Sequence, residues 1–208
     1  SITPDSLSAL TLTQVQGTVT DTTGNLQSGF NGTLFVSVRD VPRQRVYPID
    51  DALSINYQLA GGTLYRGQVA VTNGQFAFGF IVPKDIAYGQ TGARIMRHAI
   101  SSGQMAAGAA DSLRLAGSPG SISDTSGPLI RLQTERGEVI ADGFHLPENA
   151  GIHILIEDPS GINLTGSSGH RLEVFVSSSE SPLADLTDEF VYDPGAADRG
   201  RTTLSVAD

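Results

Sequence analysis

At 208 residues and 21.8 kDa the chain has room for one large β domain or two small ones. Its formal charge of -9, from 22 acidic and 13 basic side chains, repels phosphate backbones and argues against nucleic acid as a partner. The absence of cysteine excludes disulfides, zinc–thiolate centres and a cysteine nucleophile together, and no apolar run reaches the roughly 18 residues of a membrane helix.

Gly 24 and Pro 10, beside 39% hydrophobic residues, suit many short strands joined by tight turns. The start carries no basic-then-apolar pattern, so a signal peptide is expected to be cut away or to lie outside this chain. Thr3-Pro4-Asp5 reads as a helix start, with Thr3 as N-cap, Pro4 at the first helical position, and Leu7 and Leu10 on one face of a single turn. "LTQVQGTVTD" (12–21) and "NGTLFVSVRD" (31–40) then alternate as strands, the second with Leu34, Val36 and Val38 on one face. The Asp-, Thr-, Gly- and Asn-rich 21–30 between them is turn chemistry.

"VAVTNGQFAFGFIVPKDIAYG" (69–89) predicts a hairpin. Asn73-Gly74 suits a two-residue type I′ turn because both positions need positive φ. The turn sets Thr72 opposite Gln75, Val71 opposite Phe76, Val69 opposite Phe78 and Gly67 opposite Phe80, so that Phe80 covers the bare backbone of Gly67. Tyr65, Val69, Val71, Phe76, Phe78 and Phe80 then form one apolar face, read as core rather than as a stacking platform, since each buried Phe contributes about 1.5–3 kcal/mol. Pro83, with no N–H for a ladder, ends the pairing and aims the loop 84–92.

Further strands are predicted at 93–101 and 111–117. The Gly-, Ser- and Pro-rich stretch 117–128 is the expected domain boundary. Beyond it come strands at 129–134, 151–158, 171–178, 186–193 and 201–208. No strand–helix alternation appears, so the expected fold is all-β: two antiparallel, Ig-like β-sandwich domains in tandem, 1–122 and 123–208.

Reactive groups are sparse. His98, His145, His153 and His170 form no H-x-H or HExxH pair, and Glu157, on the side of His153, lies about 13 Å along the strand. "GSSGH" (166–170) has the wrong glycine spacing for a nucleophile elbow and reads as a turn. The Asp turns "DTSG" (124–127), "DPSGIN" (158–163) and "DPGAADRG" (193–200) lack EF-hand spacing. Asp124 and Asp158 are the candidates for a calcium site at the junction; otherwise no cofactor and no catalytic residue is expected.

"PDSLSALTLTQVQGTVTD", "FNGTLFVSVRD", "LYRGQVAVTNGQFAFGFIVPKDIAYG", "DTSGPLIRL" and "EDPSGINLTGSSGHRLEVFV", in this order, resemble the region after the catalytic domain in gingipain-like cysteine peptidases, specifically the sortases of bacterial type IX secretion. The resemblance implies a parent whose caspase-like domain uses a Cys–His dyad to trim cargo at the outer membrane. None of those roles transfers to a chain without cysteine. It further implies a secreted, outer-membrane-associated, non-catalytic segment. Its partners would be its own upstream peptidase domain and secreted cargo or outer-membrane secretion components. Because family members continue past "RTTLSVAD", the chain is expected to be an excised piece whose second sheet has an open edge. The expected contact points are the loops 21–30, 84–92 and 158–169. A carbohydrate- or protein-binding adhesion module is the alternative, weakened by the absence of tryptophan.

Overall fold

The alternating stretches form strands, and tertiary pairing adds others that alternate less plainly. The computed structural model describes residues 2–3, 6–50, 53–86, 92–116, 126–147, 149–176 and 179–205. Among them the strands of the first half are β1 (Ile2–Thr3), β2 (Ser6–Ser8), β3 (Leu12–Thr18), β4 (Gly32–Arg39), β5 (Arg43–Pro48), β6 (Ser54–Leu59), β7 (Thr63–Val71), β8 (Gln75–Ile81), β9 (Ala93–Ser101) and β10 (Gln104–Ala116). The second half supplies β11 (Leu129–Thr134), β12 (Gly151–Glu157), β13 (Glu173–Val174), β14 (Ala184–Asp185), β15 (Val191–Tyr192) and β16 (Arg199–Ser205). The fold is all-β, and among the described residues no helix is long and apolar enough to cross a membrane.

A nine-stranded sheet, in the order β11-β12-β16-β15-β7-β4-β9-β10-β2, packs against a three-stranded sheet, β1-β3-β8. Val15, Phe76, Phe78 and Phe80 of the small sheet meet Val36, Val38, Tyr65, Val69 and Ile95 of the large one in a single buried cluster. The nine-stranded sheet is mixed, while β1-β3-β8 is purely antiparallel. β2 runs parallel to β10, and β15 meets β7 in a parallel bridge at Tyr192 and Gly67.

The expected turn at Asn73-Gly74 forms, but the expected hairpin does not. Both residues have positive φ, 51° and 73°, and Thr72 and Gln75 exchange two backbone hydrogen bonds of 2.9 Å. The strands then part: β7 pairs with β4, while β8 pairs with β3 from Thr18–Gln75 to Leu12–Ile81. Side by side, the two apolar strands would present one wide face needing a third layer. Facing each other across the sandwich, they bury one another. Tyr65 accordingly stacks on Phe78 and Phe80, with ring centroids 5.1 and 5.4 Å apart. Gly67 is covered by the ring of Tyr65 from its own strand, not by Phe80. Aromatic cover of a strand glycine occurs instead at Gly17, under Phe76 directly opposite.

The expected N-terminal helical turn is replaced by strands. Ile2–Thr3 pairs with β3, and Ser6–Ser8 pairs with β10, burying Leu7; Pro4 and Asp5 lie outside the described residues. A lone helical turn bears the full nucleation cost for one hydrogen bond, whereas the β10 edge satisfies several groups at once. The same logic lengthens β10 back to Gln104 through the Ala/Gly-rich "QMAAGAA", a poor strand former that registers against β9. Of the predicted 171–178 and 186–193 strands, only Glu173–Val174 and Val191–Tyr192 form among the described residues, which exclude 177–178, and residues 187–189 make a turn.

The two parts of the chain share this core. Ile156, Ile162, Leu164, Phe190 and Tyr192 join the same cluster as Tyr65 and Phe80, and Ile152, Leu186 and Leu204 nucleate a smaller one. Residues 117–125, where the boundary was expected, lie outside the described residues.

Candidate functional site

The feature that the fold leaves uncovered lies between β4 and β7. These neighbours pair antiparallel up to Val38–Tyr65, slip register by one at a bulge, and continue through Arg39–Thr63 into the connecting segment. There β5 and β6 pair in the slipped register, from Arg43–Leu59 to Pro48–Ser54, and Ile49 N–H donates to the Leu53 carbonyl at 2.8 Å. The β4–β7 ribbon thus runs on beyond the sandwich as a two-stranded arm in which every residue of both strands is exposed. Opposed residues share a face, so one side carries Tyr47, Ile49, Leu53, Ile55, Tyr57 and Leu59 with Arg43 and Arg45 at the base. The other side carries Gln44, Val46, Pro48, Ser54, Asn56 and Gln58. Tyr47 is 61% exposed, Leu53 54% and Ile55 51%. A β-ribbon with one apolar face in water is the pattern of an unpartnered contact surface.

The base of that face opens into a cavity of about 300 Å³ whose charged lining is Arg39, Arg43, Arg45 and Arg171 against Asp185 and Asp188. The aspartates are engaged locally. The Thr187 hydroxyl and backbone N–H both donate to Asp185, holding its carboxyl below the usual range, and Arg171 approaches it at 3.5 Å. Asp188 pairs with Arg66 at 3.3 Å. Arg39 donates to the Gly61 carbonyl at 3.4 Å, whereas Arg43 and Arg45 have no hydrogen-bond or ion-pair partner among the described residues. In an acidic protein, this concentrates cationic donors beside an apolar strip.

The residues singled out in the sequence behave differently. The described part of the 84–92 loop meets the 158–169 loop. Asp85 lies 2.7 Å from His170 Nε2 and accepts from the Asn163 amide at 3.2 Å. Pro83-Lys84-Asp85 therefore ends a core strand and clips two loops together. In the 21–30 loop, Asp21 accepts from the Thr23 hydroxyl and from the Thr23 and Asn25 N–H groups, and its carboxyl falls to about 2. Asp158 accepts from the Ser160 N–H at 2.9 Å, an ordinary Asx turn, and Asp124 lies outside the described residues. Among the described residues no three His, Asp or Glu side chains converge as metal ligands. His153 contacts the Thr203 hydroxyl at 3.0 Å, and His98 stacks near Phe35. "GSSGH" is a turn with positive φ at Gly166 and Gly169.

Composition and motif spacing do not single out Arg43, Arg45, Tyr47, Ile55 and Tyr57, though the sequence carries a signal for them. "RQRVYP" and "SINYQL" each place Arg, Tyr, Ile or Leu at alternate positions around "IDDAL". Periodicity of that kind identifies a strand but not whether its apolar face is covered.

No protein-family model matches the chain, and no curated protein matches its sequence. Among solved structures the chain is similar to dimeric latent PorU from Porphyromonas gingivalis, with a TM-score of 0.55 and 24% identity. The likeness covers 96% of this chain and 19% of that one, so the chain spans about a fifth of the length of that protein, and its fold is PorU-like.

Proposed function

We propose that this chain is a non-catalytic accessory segment of a PorU-like sortase among the gingipain-like cysteine peptidases. In this reading it is secreted and held at the outer membrane. Its sandwiches, taken as two Ig-like units at 1–122 and 123–208, position an upstream peptidase domain against cargo or outer-membrane secretion components. The observation that carries the reading is the near-complete match of this chain to a small share of PorU, which leaves the rest of such a protein for chemistry. Composition agrees: a chain without cysteine has no nucleophile for that peptidase class. What it offers is a rigid core with projecting elements, the arm strands Arg43–Pro48 and Ser54–Leu59 and the clipped loops at 84–86 and 158–170.

The test is a peptidase and esterase screen of the purified 208-residue chain, paired with the coding sequence upstream of Ser1. The expected results are no turnover above background, and a caspase-like domain with Cys and His upstream. Turnover by the chain itself, or an unrelated upstream domain, overturns the reading.

A further inference from the structure

The arm and the arginine cavity form one continuous surface, and we infer that it docks an extended polypeptide segment of a second protein whose one face carries acidic side chains at one end and apolar side chains along the rest. The inference names the partner chemistry for the accessory role proposed above and rests on that reading.

Three observations select this occupant. First, β5 and β6 form a two-stranded sheet of their own, so both outer edges offer unpaired backbone groups to an added strand. An isolated two-stranded ribbon is marginal in water, and a third strand supplies what it lacks. Second, the apolar side chains stand on one face at strand spacing, Tyr47 on β5 with Ile49 just beyond it, and Ile55, Tyr57 and Leu59 on β6. An added strand that turns alternate residues to that face sets them beside these side chains in register. Third, the strip ends at Arg43 and Arg45, whose guanidinium groups lack partners among the described residues and line the cavity beside Arg39. A guanidinium fork donates two parallel hydrogen bonds to a carboxylate, and desolvation beside an apolar strip strengthens the pairing. Net charge sharpens the choice: at -9 overall the protein repels anionic bilayers and nucleic acids as bodies, while a short strand reaches the local cationic pocket without confronting the whole surface. Leu59 lines both parts, so one segment contacts them together.

The experiment uses the 208-residue chain and a fluorescein-labelled synthetic peptide of about eight residues, Glu-Ser-Glu-Ser-Val-Ser-Val-Ser, whose acidic and apolar side chains share one face and which is long enough to span a six-residue strand. A counterpart with Lys in place of Glu serves as the second probe, and anisotropy reads binding. The acidic peptide is expected to bind at least about tenfold more tightly than the basic one, and to weaken as salt rises. Arg43→Ala with Arg45→Ala, and separately Ile55→Ser with Tyr57→Ser, should each weaken it by about tenfold or more. Arg131→Ala, on the far edge strand, should leave it unchanged. The arm is exposed throughout, so these variants keep the parent melting temperature, which separates lost binding from lost folding. Equal binding of the two peptides, no binding, or binding indifferent to the arm substitutions overturns the inference. So does retention on phosphatidylglycerol vesicles or a glycan gel that competes with the peptide for the arm. None of these results bears on whether the chain has turnover of its own, so the two readings fail separately.

Discussion

The Asn73-Gly74 turn and the β5–β6 arm show two fates of one local pattern. Around the turn, two strongly alternating apolar strands share a single rung and then enter different sheets. In the arm, two more polar strands stay paired for six rungs and bury almost nothing. Alternation specifies which residues share a face, whereas the demand for cover decides where the strand goes. Strands rich in Phe and Val are worth most when their faces oppose each other across a core. A ribbon carrying Arg, Gln and Asn on or beside its apolar strip gains less from the core and remains outside it.

The contrast can be broken most directly at the aromatic column formed by Phe78, Phe80, Tyr65, Tyr192 and Phe190. Phe80→Ala is expected to cost about 3–5 kcal/mol in denaturant melts. Tyr57→Ala in the arm should move stability by less than about 0.5 kcal/mol; equal costs at the two positions would refute the distinction between covered and uncovered strands. Next in size is Gly67→Ala. Its new methyl group meets the Tyr65 ring where β7 meets Tyr192, and the expected loss is about 1–3 kcal/mol, again by denaturant melts.

Tyr65 sharpens the comparison through pH. Its hydroxyl is buried without a hydrogen-bond partner among the described residues, and burial pushes its pKa up to about 12. Tyr192, whose hydroxyl donates to the Ile162 carbonyl at 2.9 Å, is also pushed upward by burial. In the unfolded chain both titrate at 10.0. Their contribution is therefore complete below pH 10 and is lost as pH rises; for Tyr65 the window ends at about 12. Tyr65→Phe removes an unsatisfied hydroxyl, so stability at neutral pH should hold or rise, and the alkaline slope should lessen by about one proton. A steeper alkaline loss in the variant would show that the hydroxyl has a stabilising partner.

Two smaller effects concern the loops. Asp85→Ala, which unclips His170 and Asn163, should cost less than about 0.5 kcal/mol because the pair is largely solvated. If Asp85→Ala and Lys84→Ala abolished cargo processing in a full-length sortase without lowering its stability, the clip would be chemistry rather than carpentry. Asp21 is the mildest case. Its lowered carboxyl pKa means that its contribution is present above 3.8 and is lost as pH falls towards about 2. Hydrogen exchange at Thr23 and Asn25 should quicken through that window while the core stays protected; uniform quickening would contradict a purely local role.

Local chemistry in the sequence determined a good deal by itself: the all-β class, the buried Phe76, Phe78 and Phe80, the alternation of β4 and β9, and the I′ turn at Asn73-Gly74. Each follows from a side chain's own φ preference or from the two-residue period of a strand. Tertiary structure alone decided the partners. It split the predicted hairpin between two sheets, turned the N-terminal helical turn into strands on β3 and β10, and recruited the Ala/Gly-rich start of β10. It also brought Tyr192 beside Gly67, and carried Arg43 and Arg45 to a cavity with Arg171, more than a hundred residues away. The physical reason is that burial and backbone hydrogen bonding are satisfied by whichever strand lies alongside, and the choice among many similar strands depends on the shape of the whole core.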